Sequence, residues 1–238
     1  MWIGVHARYV CRFVAAFVPL LAQWSAWSQT PAWQAGVAKV TLRADLNRQP
    51  GTAFVVALEK GTAFLVTSAH VVEGDPNPQI EFVAAPRKPY PTTERNIQEA
   101  DTYGLRGLAL LVVNNPPSGL KVLPPSPVAP GQGDAVIVAG YPAPIREFTV
   151  ADSTIGAISG EDLVLNRETG EGFSGGPVLR DGSVVGLVFG HKSGFGVAIQ
   201  SADVRTYLKV RACCGVHNSS RRVRVRNKFP QMSAGSRR

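Results

Sequence analysis

Residues 172–177 read GFSGGP, a serine set among glycines and followed by a proline. Glycine adopts backbone angles that other residues avoid, and it lets another molecule approach the chain closely. A serine on such a turn can expose its hydroxyl as a nucleophile while nearby backbone N–H groups face a developing oxyanion. The same letters also fit an ordinary glycine-rich turn, so Ser174 needs a partner elsewhere in the chain.

A histidine about a hundred residues upstream supplies that partner. Residues 67–72 read TSAHVV, in which His70 stands at the end of a strand-like run. An imidazole beside a serine hydroxyl can take its proton and return it later. A lone histidine is more often structural, but His70 and Ser174 in separate halves of the chain together indicate a nucleophilic site.

The body of the chain reads as short valine-rich runs broken by Gly and Pro, which is typical of an all-β barrel or sandwich. A stretch with six prolines, residues 114–133, divides these runs into two halves. The first half predicts strands at Val37–Leu42, Phe54–Leu58, Ala63–Ser68, Ile80–Ala84 and Leu108–Val113. The second half predicts strands at Ala135–Ala139, Phe148–Val150, Leu163–Leu165, Val178–Leu179, Val184–Phe189 and Gly196–Ile199.

Two local features complete this prediction. Residues 59–61 lie between two runs that both open with Gly-Thr-Ala-Phe, at 51–54 and 61–64, and they predict a hairpin turn. A short helix is predicted over residues 201–210. Its apolar face would be formed by Val204, Leu208 and Val210.

The two motifs and their order resemble the trypsin-like serine proteases, especially the bacterial HtrA-type branch, over about residues 35–210. The resemblance implies two six-stranded-type antiparallel β-barrels, at about 35–115 and 133–200, followed by the short C-terminal helix. The protease domain would span residues 29–216. The resemblance also implies a serine endopeptidase that hydrolyses polypeptides through an acyl-enzyme and needs no metal or other cofactor.

The resemblance implies a role for each matching residue. Ser174 would attack the scissile carbonyl, His70 would act as general base and then acid, and the backbone N–H groups of Gly172 and Ser174 would form the oxyanion hole. Phe173 replaces the aspartate with which related zymogens bind a newly cut N-terminus, so no such processing is expected. On a following strand, the substrate backbone would bind at Val188, Phe189 and Gly190.

Gly107 departs from the family pattern. The family has an aspartate at the start of the strand that here reads GLALL over residues 107–111, and glycine has no carboxylate to orient His70. One interpretation is that Asp101, six residues upstream, replaces it, with Glu99 a poorer candidate. The other is that no acid reaches His70, which would leave a slow Ser–His dyad or an inactive pseudo-protease that binds peptides or proteins.

Two smaller signals concern specificity and thiols. Glu168 lies six residues before Ser174, a spacing that in the resembling proteases often reaches the floor of the primary specificity pocket. A carboxylate there would favour Lys or Arg in the substrate, and the alternative is a solvent-exposed side chain. Cys213 and Cys214 are adjacent, and because two thiols alone make a weak metal site, ordinary, partly exposed cysteines are expected.

The ends of the chain differ from its body. The net charge is +8, and the ends supply it, because residues 217–238 carry seven Lys and Arg, residues 1–28 carry two, and neither end carries an acid. The near-neutral body argues against a specific nucleic-acid surface.

Residues 1–28, with an apolar run at 13–22, predict a secretory signal, and hence a secreted or periplasmic protein without a transmembrane segment after cleavage. Residues 217–238 predict a disordered basic tail that could contact an anionic surface.

Overall fold

The computed structural model describes residues 30–43, 49–98, 107–143 and 145–213, which form two antiparallel sheets and one closing helix. The first sheet contains β1 (Val37–Thr41), β2 (Gly51–Glu59), β3 (Thr62–Ser68), β4 (Gln79–Phe82), β5 (Pro89–Pro91), β6 (Glu94–Gln98) and β7 (Leu108–Asn114). The second contains β8 (Ala135–Gly140), β9 (Thr149–Ser159), β10 (Asp162–Leu165), β11 (Pro177–Arg180), β12 (Ser183–Lys192) and β13 (Phe195–Gln200), and the helix is α1 (Ser201–Cys213). The predicted all-β class with a short C-terminal helix is confirmed.

The first sheet has the strand order β5-β4-β1-β2-β3-β7-β6. Its β2–β3 hairpin turns at Lys60 and Gly61, whose φ angles of 45° and 78° are both positive, as a two-residue turn of the mirror-image type requires. The predicted hairpin is therefore confirmed. Strands β5 and β6 were not predicted, because prolines bound the first and polar residues dominate the second. With these two strands, the sheet has seven strands within the described ranges.

The second sheet closes into a six-stranded barrel in the order β10-β13-β12-β11-β8-β9. Strand β9 runs over 11 residues, far beyond the predicted Phe148–Val150. Most of its residues are exposed or half-buried and several are polar, so a search for apolar runs misses its continuation. Gly156 within β9 lies against the side chain of Asn166, where a Cβ would be closer than 3.0 Å.

The proline-rich stretch between the sheets is packed rather than loose. The N–H of Leu123 donates to the carbonyl of Val55 in the first sheet at 2.7 Å, and the N–H of Ser126 donates to the carbonyl of Val184 in the second at 2.7 Å. Leu120 and Leu123 are both buried. The stretch therefore binds the two sheets to each other while it crosses between them.

Helix α1 also connects both sheets. Val204 is buried and Leu208 packs against the core, as predicted, whereas Val210 is 54% exposed and Tyr207 is buried in its place. The Tyr207 hydroxyl donates to the carbonyl of Asn96 in β6 at 2.7 Å. Among the described residues, no helix is long and apolar enough to span a bilayer.

Several expectations fall on residues that the structure does not describe. They are the secretory signal at 1–28, the basic tail at 217–238, and the candidate acids Glu99 and Asp101. Cys213 ends α1, and its neighbour Cys214 also lies outside the described residues.

Candidate active site

A cleft of about 360 Å³ is lined by both sheets, and His70 and Ser174 both line it. His70 lies in a 3-10 turn, Ala69–Val71, directly after β3, and Ser174 lies in the turn before β11. Both residues are half-buried. The two residues that the sequence singled out are therefore brought to one cavity of a size that can hold part of a peptide.

The serine turn depends on two glycines with positive φ. Gly172 has φ of +93° and Gly175 has φ of +84°, a region in which other residues are strained. Space is also lacking at both positions. A Cβ on Gly172 would come closer than 3.0 Å to the carbonyl of Tyr141, and one on Gly175 would do the same to the carbonyl of Thr52.

The N–H of Gly172 is oriented by the carbonyl that shares its peptide bond. The carbonyl of Glu171 accepts a hydrogen bond from the N–H of Ala143 at 2.9 Å. In a planar trans peptide the N–H points away from the C=O. The N–H of Gly172 therefore points away from Ala143, on the side of the cleft that Gly172 lines.

The N–H of Ser174 is oriented in the same way. The carbonyl of Phe173 accepts from the N–H of Gly176 at 2.8 Å, which turns the Ser174 N–H in the opposite direction. The Phe173 side chain is 7% exposed and packs in the core of the second barrel. The Ser174 N–H therefore points away from Gly176.

Buried hydrogen bonds tie this turn to the first sheet. Thr52 of β2 is fully buried, and its N–H donates to the carbonyl of Ser174 at 2.9 Å. Its hydroxyl donates to the carbonyl of Gly172 at 2.7 Å and accepts from the N–H of Tyr141 at 3.2 Å. Its carbonyl accepts from the hydroxyl of Thr67 at 2.6 Å. The turn is thus fixed from outside its own barrel.

Gly107 lies directly beside the histidine turn. Its carbonyl accepts a hydrogen bond from the N–H of Ala69 at 2.7 Å, one residue before His70. Gly107 is buried and precedes β7, so the position at which the family pattern has an aspartate carries no side chain. The two candidate acids, Asp101 and Glu99, lie outside the described residues.

The sequence as a whole agrees with this geometry. A family model described as a trypsin-like peptidase domain matches residues 51–187, more than half of the chain. The chain belongs to the trypsin-like peptidase family. None of the curated proteins matches it.

Solved protease structures share the fold of this trypsin-like peptidase. The Rv3671c protease from M. tuberculosis in its active form superimposes with a TM-score of 0.60 at 24% identity, covering 75% of this chain and 81% of that one. The inactive form gives 0.58 at 24% identity, covering 75% and 90%. The serine endoprotease from Yersinia pestis gives 0.61 at 22% identity, covering 77% and 67%. The predicted resemblance and the double-barrel fold are confirmed.

The three residues predicted to bind substrate backbone differ in position. Phe189 and Gly190 line the cleft, whereas Val188 is fully buried. The N–H of Val188 donates to the carbonyl of Gly176 at 2.9 Å, and its carbonyl accepts from the N–H of Gly175 at 2.7 Å. Val188 therefore supports the serine turn, which corrects its assignment to the substrate-binding set.

Glu168 is exposed and is not among the residues that line the cleft. Its neighbour Thr169 is 3% exposed, and its hydroxyl donates to the carbonyl of Gly190 at 3.0 Å. The Thr169 methyl lies against β13, because a Cβ on Gly196 would come within 2.7 Å of it. The placement of Glu168 agrees with the solvent-exposed alternative, whereas Thr169 bonds to Gly190, which lines the cleft.

The buried phenol of Tyr141 lies near two acidic residues. Burial raises the pKa of the Tyr141 phenol, and the charges of Glu81 and Glu147 raise it further, so the phenol stays protonated at neutral pH.

In the parts of the chain that the structure describes, no group of three or more His, Cys, Asp or Glu residues could hold a metal ion.

Sequence reasoning missed Thr52 and Thr169. Thr52 belongs to the Gly-Thr-Ala-Phe stretch at 51–54, which was interpreted as the opening of a strand. Thr169 lies one residue after Glu168, whose carboxylate is the sequence-based candidate for substrate specificity. Neither residue carries an ionisable group, so neither stands out as a candidate for chemistry.

Proposed function

We propose that this trypsin-like peptidase is an exported serine endopeptidase that cleaves peptide bonds through an acyl-enzyme. The observation that carries the proposal is that His70 and Ser174 share one cleft with two N–H groups oriented by their own peptide carbonyls. That set supplies a nucleophile, a base and an oxyanion hole without any cofactor.

The reaction would proceed in two halves. The Ser174 hydroxyl attacks the scissile carbonyl carbon while His70 takes its proton, and the oxyanion accepts hydrogen bonds from the N–H groups of Gly172 and Ser174. The C–N bond then breaks as His70 returns the proton to the leaving amine, which leaves an ester on Ser174. Water, deprotonated by His70, attacks that ester and releases the acid, and the serine regains its proton.

The edge of β12 supports binding of an extended peptide. Gly190, His191 and Lys192 pair with β13 on one side, whereas the pairing of β12 with β11 ends at Leu187. Among the described strands, this part of β12 therefore keeps one edge for a further strand beside Ser174. An extended polypeptide can add to such an edge through main-chain hydrogen bonds that do not depend on its sequence.

The alternative function is a pseudo-protease that binds peptides or proteins in the same cleft, and Gly107 is the observation that favours it. Without a carboxylate to orient the imidazole, turnover falls by about 10⁴ in the well-studied case. Asp101 could supply the missing group. If Asp101 orients His70, Asp101→Ala should lower turnover by a similar factor of about 10⁴, whereas an unchanged rate would indicate a dyad or a different acid.

The test of the proposal is hydrolysis of casein by the purified chain, followed over time, together with labelling by a serine-directed phosphonate. We expect fragments to accumulate and one phosphonate to attach to Ser174, located by mass spectrometry of the digested adduct. A chain that neither cleaves casein nor takes up the probe, yet binds peptides, would be the pseudo-protease.

Export rests on the first 28 residues. A protein made with residues 1–28 should be recovered without them outside the cytoplasm of a bacterial host, with Gln29 as its new N-terminus. Recovery of the uncleaved chain in the cytoplasm would contradict this. The seven basic residues of 217–238 would then be available to anionic surfaces, as binding to anionic vesicles at low salt would test.

The position of Thr169 predicts a preference for small residues before the scissile bond. Thr169 bonds to the Gly190 carbonyl and lies against Gly196. We propose that its side chain limits the pocket that holds the residue before the scissile bond, so an Arg or Phe side chain there would have to displace it. We expect alanyl reporter peptides to exceed phenylalanyl and arginyl ones by about tenfold or more in kcat/KM.

Three variants test this preference. Thr169→Gly should raise the rate on phenylalanyl peptides relative to alanyl ones by about tenfold, and Thr169→Ser should have a smaller effect because it keeps the hydroxyl. Glu168→Ala, at the exposed neighbour, should leave the ratio within about twofold. A wild-type chain that cleaves arginyl peptides best, and loses that preference in Glu168→Ala, would contradict the expectation.

A further inference from the structure

We infer that Thr52 is a positioning residue that holds the oxyanion-binding turn in its working shape, an inference that rests on the proposed function. Thr52 belongs to the first sheet, whereas the turn belongs to the second. Its N–H and its hydroxyl bind the carbonyls of Ser174 and Gly172 at 2.9 and 2.7 Å. These two carbonyls alternate along the chain with the two N–H groups that would face the oxyanion.

The hydroxyl of Thr52 is itself oriented. It has one proton to donate and lone pairs that accept. Because the N–H of Tyr141 donates to this oxygen at 3.2 Å, the hydroxyl proton is directed to the Gly172 carbonyl. The Thr67 hydroxyl holds the other end of the residue by donating to the Thr52 carbonyl at 2.6 Å. Full burial of Thr52 keeps water from replacing any of these bonds.

The bond from the Thr52 hydroxyl to the Gly172 carbonyl, which we call the clamp, explains how the serine turn is held without an ion pair. Phe173 stands where related zymogens have an aspartate, and its side chain is 7% exposed in the core of the second barrel. No ionic bond can therefore form from this position. The two peptide groups that flank Gly172 are each fixed instead, the Gly172–Phe173 carbonyl by Thr52 and the Glu171–Gly172 carbonyl by Ala143.

Thr52→Val is the informative substitution, because valine has nearly the shape of threonine but can neither donate nor accept. It leaves the Gly172 carbonyl and the Tyr141 N–H buried without their partner, so the turn should relax to satisfy them. Thr52→Ser is the matched control, since it keeps the hydroxyl and loses only the methyl group. We expect kcat to fall by about 100-fold in Thr52→Val with KM within about threefold, and both constants to stay within about threefold in Thr52→Ser.

A second measurement separates positioning from simple packing. A peptide boronate forms a tetrahedral adduct on the serine, whereas a product peptide binds without one. Thr52→Val should weaken the boronate by about 100-fold and the product peptide by no more than threefold. Equal losses for both ligands, equal losses in Thr52→Val and Thr52→Ser, or an unchanged kcat in Thr52→Val would each overturn the inference.

A crystal structure of Thr52→Val keeps the inference testable if the wild-type chain proves inactive. Absent hydrolysis and absent boronate adduct in the wild type would count against the proposed function alone. In that case, a Gly172–Phe173 peptide whose carbonyl turns away from residue 52 in the variant would support the clamp. The same peptide in its original orientation would overturn it.

Discussion

Ser174→Ala is expected to abolish hydrolysis of casein and of reporter peptides, a loss of about 10⁶-fold if an acid orients His70 and of about 10²-fold if the site is a dyad. Alanine cannot form the ester on which both halves of the reaction depend. The phosphonate adduct should disappear with the activity, since its attachment uses the same oxygen. The rates would be measured by the release of acid-soluble fragments and by a chromogenic leaving group.

The fold should be unaffected by this substitution. Ser174 is half-buried, and the bond that its turn makes to Thr52 uses the Ser174 carbonyl, which alanine keeps. The melting temperature of Ser174→Ala should therefore lie within about 2 °C of the wild type. A variant that melts normally and still cleaves casein would require a different nucleophile and would remove the proposed mechanism.

Gly175→Ala is expected to destabilise the protein by more than about 3 kcal/mol, which corresponds to a fall of roughly 10 °C in melting temperature for a chain of this size. Two causes add. The φ angle of +84° strains any residue with a Cβ, and that Cβ would lie closer than 3.0 Å to the Thr52 carbonyl. Because the obstacle is backbone, it cannot rotate away, so the serine turn must leave the first sheet and activity should be lost.

Gly182→Ala is the matched control. Gly182 also has a positive φ, +76°, but a Cβ there meets nothing within 4 Å. Its cost should be the conformational strain alone, about 1 kcal/mol. Thermal unfolding of both variants would separate strain from collision. Equal costs would show that the close approach of Thr52 to Gly175 contributes nothing.

The repeated Gly-Thr-Ala-Phe stretch shows where sequence reasoning stops. Both copies start strands of one hairpin, as predicted, because their apolar residues and the turn between them are local signals. Thr52 in the first copy is fully buried and binds the serine turn, whereas Thr62 in the second bonds to Asn114 at an exposed position. The difference depends on which copy faces the other barrel, and no local pattern records that.

The two candidate site residues and Gly107 illustrate the same limit. His70 and Ser174 were predicted because each lies in a motif whose residue types fit a chemical task. Gly107 was singled out by the family pattern, and the structure places it beside the histidine turn. The support that Val188 gives to the serine turn was not predictable, because main-chain atoms make it and a residue with any side chain has those atoms.

The tie between Thr52 and Gly172 spans 120 positions of the chain, and the one between Ser68 and Val188 spans as many. A ribosome adds residues at about 5–20 per second, so Gly172 emerges roughly 10 s after Thr52. The first sheet can form during that interval, but Ser174 has not yet been added to the chain and cannot lie beside His70. The cleft that both residues line can therefore form only after the serine turn has been made.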